Sequence, residues 1–449
     1  MQTLKDEISV GEADFPKPFK NGLEFNAPVH GTWNIVHIGL QMPGAVQIYV
    51  CAKNCMRGVI LTAAEMNESE RFSFVILNEE DMVRGNLDEV TIEGVTDVIR
   101  KRDRAGMRPR AVQLFTVCTH HFLGTDYKRL YQILEERFPD IDFYRCYMDP
   151  IMQKKGLTPD QKLRRAMLEK LQPLPAREKT AAILGSDFLL DESSDLIRLL
   201  RRNGWDIRQN KACKSYEEYL QMAEAELFLA VYPPAKAGVK LCARRLGRPF
   251  LYLPSSFDEE LIREQLNQLE EYMGIQKAEN PQVEKQPDLE KEIADTVRLL
   301  KEKMKNTSIF IDGTAHPRPL GLAHFLLKNG FNVEKVYLDA ISLEEEKDVL
   351  WLKEYHPELL LSATIHVKKR RMAADKKTAI GLQRKKLAIG QKAAYFEQTP
   401  YFVNMVAGFG LHGLDGMKKI LIMMSEALDE EKDLRDIVPR KGLGCESCI

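Results

Sequence analysis

Four cysteines lie near the ends of predicted strands, where thiolates could hold a metal or exchange electrons. Cys51 follows the apolar run QIYV, Cys118 follows AVQLFTV, and Cys146 ends DFYRC. Cys55 comes four residues after Cys51, about one helical turn further on. Iron–sulfur clusters need soft thiolate ligands that converge from separate segments. The pattern predicts a cysteine-ligated cluster, and two alternatives stay open, inert packing of the thiols in a core and a redox dithiol.

Other residues of the same chemical kind lie outside this group. Cys445 and Cys448 form a CxxC in the tail RKGLGCESCI, a spacing that ligates metals or undergoes redox exchange. It is only half of a metal site, and a tail without a role is the alternative. His120 and His121 follow Cys118 directly, where they could tune a metal site or transfer protons. The alternative is that both are surface histidines after a strand.

The segment GFGLHGLDG, residues 408–416, contains a literal GxGxxG and the histidine His412. A dinucleotide-binding motif should follow the first strand of a βαβ unit. This segment instead lies at the end of the last predicted block and leads into the final helix. A nucleotide site is therefore not favoured here.

The elements that must position these residues alternate along the chain between short apolar strands and helices. Such alternation predicts an α/β fold of three Rossmann-like domains, each a mainly parallel sheet flanked by helices. In such sheets, ligands bind outside the carboxyl ends of the strands. Within the last domain we expect a basic helix near 375–389 and a short strand at 393–396. The predicted boundaries are an irregular N-terminal segment (1–33), a first domain with the cysteine site (34–155), a linker (156–178), a second domain (179–275), a linker (276–289), a third domain (290–430) and the CxxC tail (431–449).

Composition restricts the functional classes. The chain has 449 residues, is 44% hydrophobic and carries a formal net charge of −1, so no global charge attracts it to nucleic acid or to a membrane surface. It contains neither an apolar run of about 18 residues that could span a bilayer nor an apolar signal-peptide core. We therefore expect a cytoplasmic protein, in which cysteines rarely form structural disulfides. The basic stretch 368–386 is interpreted as a solvated face or a docking surface for an acidic partner.

Three runs in the first domain resemble one known family. PGAVQIYVCAKNC, NEEDMVRGN and LFTVCTHHFLGTD are similar to the N-terminal domain of the nitrogenase component 1 type oxidoreductases. The resemblance extends over roughly residues 30–430, because the later blocks also fit the three-domain plan of that family. Cys55 (or Cys51) matches the first cluster cysteine of the family, and Cys118 matches the last.

The resemblance implies an iron–sulfur cluster at a subunit interface and electrons from an ATP-driven reductase that resembles the nitrogenase iron protein. It also implies a homodimer, or a heteromer with a paralogous subunit. The chain departs from the family in two places: VCAKNC replaces the glycine-containing turn, and the stretch FSFVILNEED lacks the middle cysteine. We therefore expect a single 4Fe–4S cluster on Cys51, Cys55, Cys118 and Cys146 rather than a double cubane. Glu79 is a further oxygen ligand to consider.

The C-terminal segment HGLDGMKKI resembles the part of the family's catalytic subunit that carries a histidine ligand to the large cofactor. His412 matches that ligand, whereas Val231 stands roughly where the cofactor cysteine would be. His412 is therefore predicted to line a substrate cavity or to hold a second metal centre. A turn histidine that is satisfied by backbone hydrogen bonds is the alternative.

The leading hypothesis is a nitrogenase-like oxidoreductase subunit whose cluster relays low-potential electrons to a small-molecule substrate. His120, His121 and His412 are its candidate catalytic residues. The sequence contains no GxxxxGK[ST], so an ATPase must be a separate partner. A non-catalytic scaffold that assembles or transfers a metallocluster is the second hypothesis. An α/β protein that binds a small ligand without metal is the third.

Overall fold

The structure is a computed structural model. It describes residues 5–19, 35–148, 156–275, 289–365 and 384–434.

Two compact units make up the described part of the chain. The described residues of 33–189 and 203–253 form one, called here the N-terminal unit. The described residues of 1–32, 190–202 and 254–449 form the other, called here the C-terminal unit.

Short strands and helices alternate through both units. The strands are β1 (Glu7–Ser9), β2 (Ala45–Cys51), β3 (Phe72–Ile76), β4 (Ala111–Val117), β5 (Asp142–Met148), β6 (Arg177–Ile183), β7 (Asp206–Gln209), β8 (Ala225–Ala230), β9 (Phe250–Tyr252), β10 (Thr307–Asp312), β11 (Val333–Tyr337), β12 (Leu360–Ser362), β13 (Lys385–Ile389) and β14 (Phe402–Val403). The helices are α1 (Ile35–Leu40), α2 (Arg57–Glu65), α3 (Glu79–Val83), α4 (Leu87–Arg104), α5 (Cys118–Phe122), α6 (Tyr127–Arg137), α7 (Pro159–Met167), α8 (Asp195–Arg202), α9 (Tyr216–Leu220), α10 (Lys236–Leu246), α11 (Glu259–Tyr272), α12 (Leu289–Lys303), α13 (Pro319–Lys328), α14 (Glu346–Tyr355), α15 (Gln391–Glu397) and α16 (Gly413–Asp429).

The sheet that carries the predicted cysteine site has the strand order β3-β2-β4-β5, and all its pairs are parallel. Every residue of β2 and β4 is buried, as expected for central parallel strands that helices cover on both faces. The continuous apolar runs of these two strands made them recognisable in the sequence. The edge strand β3 leaves Phe74 and Ile76 exposed. The carboxyl ends of β2 and β4 thus lie side by side.

A second parallel sheet of the N-terminal unit has the order β7-β6-β8-β9. Tyr49 and Phe115 of the first sheet belong to the same buried core as Phe228 of β8. Helix α7 lies inside the predicted linker 156–178, yet it buries Leu163 and Met167 in that core. Helix α7 is therefore part of the core of the N-terminal unit, although it lies within the predicted linker.

The sheet of the C-terminal unit has the order β1-β12-β11-β10-β13-β14. All its pairs are parallel except β1 with β12. Strand β1 comes from the segment predicted to be irregular, and it pairs antiparallel with β12, Ser9 opposite Leu360. A three-residue strand carries too little periodicity to be recognised without its partner.

Two local predictions in this unit are wrong. Residues 393–396, predicted as a strand, belong to helix α15, and residues 385–389, predicted as the end of a basic helix, form β13. Residues 375–383 of that predicted helix, like most of the basic stretch 368–386, lie outside the described residues. A short apolar run does not by itself distinguish a buried strand from a buried helix. Here the pairing of residues 385–389 with β10 on one side and β14 on the other establishes that they form a strand.

The predicted α/β class, with mainly parallel sheets flanked by helices, is confirmed. Among the helices of the described residues, none combines the length and the apolar character that crossing a bilayer requires.

Candidate functional site

The four predicted cluster cysteines all belong to the N-terminal unit and lie on or beside three adjacent strands. Cys51 is the last residue of β2, and Cys118 begins α5 directly after β4. Cys146 lies within β5, opposite Phe115 of β4. Cys55 follows in the short turn between β2 and α2. The predicted convergence at one edge of the sheet holds for Cys51, Cys55 and Cys118, whereas Cys146 lies two residues before the end of its strand.

Cys51 and Cys146 are core residues. Cys51 is 0% and Cys146 is 1% exposed, and both belong to the same buried cluster as Tyr49. Burial, followed by the neighbouring Cys55, raises the pKa of Cys51 to about 12. Burial likewise raises the pKa of Cys146 well above that of a free thiol. In both environments burial favours the protonated thiol over the thiolate.

Cys55 and Cys118 have a different environment. Cys55 is exposed and Cys118 is partly exposed. Partial burial and then the charge of Cys118 raise the pKa of Cys55, so the two thiols are near enough to interact electrostatically. These two reachable thiols, one from each of two adjacent strand ends, could supply half of the four ligands of an iron–sulfur cluster at this edge of the sheet.

The described residues of one chain do not complete a metal site by themselves. No group of three or more histidine, cysteine, aspartate or glutamate side chains in the described ranges has an arrangement that would hold an ion. Cys445 and Cys448 lie outside the described residues. Glu79 is exposed at the start of α3. Among the described residues, the donors available at this edge of the sheet are therefore the thiols of Cys55 and Cys118.

His120 is buried, and its hydrogen bonds anchor the turn after β4. Its Nδ1 accepts from the Val117 backbone N–H at 3.3 Å, which leaves the proton on Nε2 to be donated to Thr91 Oγ1 at 3.1 Å. The Thr91 hydroxyl in turn donates to the Leu87 carbonyl at 2.8 Å. Both ring nitrogens are thereby satisfied, and α5, which begins at Cys118, is tied to α4.

We expect His120 to make the protein sensitive to acid. Burial lowers the pKa of His120 to about 4, although Asp88 opposes this shift. Between pH 6.5 and 4 the unfolded chain binds a proton that the folded chain does not. The free energy of unfolding therefore decreases as the pH is lowered through this range, by up to about 3 kcal/mol. His120→Gln should flatten this part of the profile in urea unfolding measured from pH 7 to 4.

His121→Gln is the matched control, because His121 is exposed. It should leave the profile unchanged. Equal profiles for wild type and His120→Gln would contradict the assignment of this titration to His120.

Exposed apolar side chains surround this edge of the sheet. Phe122 and Leu123, at the end of α5, are 63% and 51% exposed. Ile76, the last residue of β3, pairs with Cys51 and is also exposed, as is Val83 on α3. These residues are called here the apolar rim. Exposed large apolar residues grouped near a site are typical of a surface that another protein covers.

His412 belongs to the C-terminal unit, not to the unit of the cysteines. It is buried and precedes α16, and its carbonyl accepts from the Gly416 N–H at 3.0 Å. His316 lies beside it: burial first, and then Arg318 and His412, lower the pKa of His316 to about 3. His316 Nε2 is 3.1 Å from the Ser255 hydroxyl. The catalytic or metal-binding role expected for His412 stays a prediction.

The GxGxxG segment has a structural explanation. Gly408, Gly410 and Gly413 all have positive φ, of 83°, 74° and 68°, which glycine adopts without a steric cost. At the start of α16, Asp195 Oδ2 accepts from the Leu414 N–H at 2.5 Å. A carboxylate thus accepts from the backbone at the helix N-terminus, the place where a nucleotide motif would hold phosphate.

A further group of polar residues lines a cavity of the C-terminal unit and was not identified from the sequence. Its members include Asp339, Glu345 and Lys392. Glu345 stands in the acidic run LEEEKD, which has the composition of a solvated helix face. Only its burial in the folded unit distinguishes it from its neighbours, so no sequence signal could have found it.

Parallel sheets flanked by helices define an α/β protein, and the candidate thiols lie at the carboxyl edge of one of these sheets. The family model described as nitrogenase component 1 type oxidoreductase matches residues 36–429. The chain belongs to that family and is an oxidoreductase of this type. The resemblance noted in the cysteine-containing runs is thereby confirmed.

Solved structures agree at the level of the fold. The structure described as nitrogenase Cp1 at pH 6.5 has a TM-score of 0.64 and 13% sequence identity, over 91% of this chain and 94% of that chain. The structure described as nitrogenase Cp1 at pH 5 has a TM-score of 0.56 and 12% identity, over 94% and 93%. No curated protein matches the sequence.

Proposed function

We propose that this chain is the cluster-bearing subunit of a nitrogenase-like oxidoreductase, in which Cys55 and Cys118 hold an iron–sulfur cluster. The observation that carries the proposal is the pairing of these two reachable thiols at the carboxyl edge of the first sheet. When bound, the cluster supplies one-electron transfer at low potential. The chain's own residues hold it, orient it and shield it from water.

A pair of chains would provide the full ligand set. A 4Fe–4S cluster is usually held by four cysteine thiolates, and among the described residues each chain offers two that are reachable at this edge of the sheet. The apolar rim beside them supports a subunit interface at this edge, because Phe122 and Leu123 directly follow the cysteine-bearing turn of α5. The partner would be a second copy or a paralogous subunit. The alternative is a cluster within one chain on Cys51, Cys55, Cys118 and Cys146.

Electrons would come from a separate ATP-dependent reductase of the nitrogenase iron-protein kind, because the sequence lacks a phosphate-binding GxxxxGK[ST]. The substrate is a small molecule. His120 is held as a neutral, buried residue by Thr91 and Val117, so its role here is to position α5. His121, which is exposed, is the better placed of the two to move a proton.

A scaffold that assembles or transfers a metallocluster is the second candidate. It is favoured by Val231, a buried valine that stands roughly where the resemblance expects the cofactor cysteine. Turnover distinguishes the two candidates: an oxidoreductase consumes electrons from a low-potential donor in the presence of substrate and reductase, whereas a scaffold passes its cluster to an acceptor protein.

The first test is the iron and acid-labile sulfide content of the full chain purified without oxygen, with EPR after dithionite reduction. We expect about two irons per chain, one 4Fe–4S cluster for each pair of chains, and a dimer in solution. About four irons per chain would indicate the cluster within one chain. No iron after reconstitution of the folded protein would overturn the proposal and favour an α/β protein that binds a small ligand without metal.

A further inference from the structure

A cavity of about 370 Å³ lies in the C-terminal unit at the carboxyl ends of β10, β11 and β12. Gly313 and Thr314 follow β10, Asp339 follows β11, and Thr364 follows β12. This is the edge at which parallel α/β sheets bind ligands. A volume of this size accommodates a small metabolite.

The carboxylates next to the ends of β10 and β11 are already engaged by the protein. Asp339 Oδ1 accepts from the backbone N–H groups of Thr364 and Ile365, at 2.7 and 3.1 Å, and its Oδ2 accepts from the Thr364 hydroxyl. Asp312, buried behind the cavity, accepts from the backbone N–H groups of Thr314 and Lys392, at 2.7 and 2.6 Å. Both carboxylates therefore already have hydrogen-bond partners within the protein, and neither needs a ligand to satisfy it.

Glu345 differs from these acids. It is 1% exposed and lines the cavity. Its Oε1 accepts from the Leu320 and Gly321 N–H groups at the start of α13, at 2.7 and 3.2 Å. Its Oε2 is buried and has no hydrogen-bond partner among the described residues. A buried polar atom left unpaired is unfavourable, and a bound ligand that forms a hydrogen bond with it would remove that penalty.

The groups with unused hydrogen-bonding capacity in this cavity are mainly donors. Lys392 Nζ donates to Thr364 Oγ1 at 3.3 Å, which uses one of the three N–H groups of an ammonium. The hydroxyl of Ser342 accepts from the Glu344 N–H and keeps its own hydrogen to donate. Burial raises the pKa of Glu345 to about 8, so near neutral pH its Oε2 carries a proton.

We propose that this cavity binds a small molecule bearing a carboxylate or phosphate group, whose oxygens accept hydrogen bonds from Lys392 Nζ and from Oε2 of Glu345. The site lies in the C-terminal unit, and the proposal does not depend on a cluster at Cys55 and Cys118. A failure of ligand binding in this cavity would therefore leave the proposed oxidoreductase function unaffected, and the reverse also holds.

Binding should depend on pH through Glu345. The charged groups around it are Asp348 on α14 and Arg318 before α13, which act on its pKa in opposite directions, together with Asp339 and Lys392 across the cavity. Above pH 8 the carboxyl loses its proton and presents a negative charge to an anionic ligand. Affinity should then fall by up to about tenfold for each further pH unit.

The experiment is isothermal titration calorimetry on the full chain at constant ionic strength, with inorganic phosphate and with succinate as separate probes. At pH 7 we expect one of the two to bind with a stoichiometry of one. Binding of phosphate alone would indicate a phosphate-bearing ligand, and binding of succinate alone a carboxylate. Lys392→Met should weaken binding about tenfold or more, the loss of one charge-assisted hydrogen bond.

Two further variants keep the test decisive. Lys347→Met removes an exposed lysine of the same unit that does not line the cavity and should leave the affinity unchanged. Glu345→Gln keeps a neutral donor at every pH, so it should bind at pH 9 as it does at pH 7, while the wild type weakens. Failure of the wild type to bind either probe would overturn the proposal. So would equal affinities for wild type and Lys392→Met with no effect of pH.

Discussion

Cys118→Ala and Cys55→Ala are each expected to reduce the iron and sulfide content of anaerobically purified protein to background. The reason is that these thiols are the two reachable from solvent at the carboxyl edge of the first sheet, and they interact electrostatically with each other. A cluster shared between two chains would lose two of its four ligands by either substitution, since both chains carry the change. The EPR signal after dithionite reduction should disappear with the iron.

The buried cysteines provide the contrast. Cys51→Ala and Cys146→Ala should retain iron, because both side chains are enclosed in the hydrophobic core rather than reachable at the edge of the sheet. Each should lower the free energy of unfolding by about 1 kcal/mol, the cost of a cavity the size of a methyl group. Cys213→Ala, at a partly exposed cysteine beside the second sheet, is the matched control for iron content. Loss of iron in folded Cys51→Ala or Cys146→Ala would instead place the cluster within one chain.

Arg164→Met is expected to cause a large loss of stability of the N-terminal unit. Arg164 is 2% exposed and forms a bidentate pair with the equally buried Asp187, Nη1 to Oδ1 at 2.6 Å and Nη2 to Oδ2 at 2.7 Å. It also donates to Asp160 and to the Gly185 carbonyl. Removing the guanidinium leaves a buried carboxylate without its counter-charge, which costs about 3–5 kcal/mol.

Urea unfolding followed by circular dichroism measures this loss. Arg165→Met is the matched control, a neighbouring arginine of α7 that is only partly buried, and it should change stability by less than about 1 kcal/mol. The double variant Arg164→Met/Asp187→Leu should recover part of the loss, because it also removes the orphaned carboxylate. A loss in Arg164→Met no larger than that in Arg165→Met would show that the pair contributes little.

Much of the fold was predictable because it rests on local patterns. The apolar runs of β2 and β4 have the continuous character of buried parallel strands, and their alternation with helices predicts an α/β class. Strand β13 and helix α15 were mistaken because runs such as LAI and AAYF suit either element. Their assignment depends on neighbours that are remote in sequence: β10 lies on one side of β13 and β14 on the other.

The sequence by itself determined the α/β class, the resemblance to one oxidoreductase family and the placement of Cys51, Cys55 and Cys118 at one sheet edge. Each of these follows from periodicity, from motifs, or from the rule that parallel strands end at the same edge. Only the tertiary structure separated the buried thiols of Cys51 and Cys146 from the reachable thiols of Cys55 and Cys118. It alone also identified Glu345 as a buried carboxyl group in a cavity. The physical reason is that burial, and with it the pKa of a thiol or carboxyl group, depends on which remote segments pack against it.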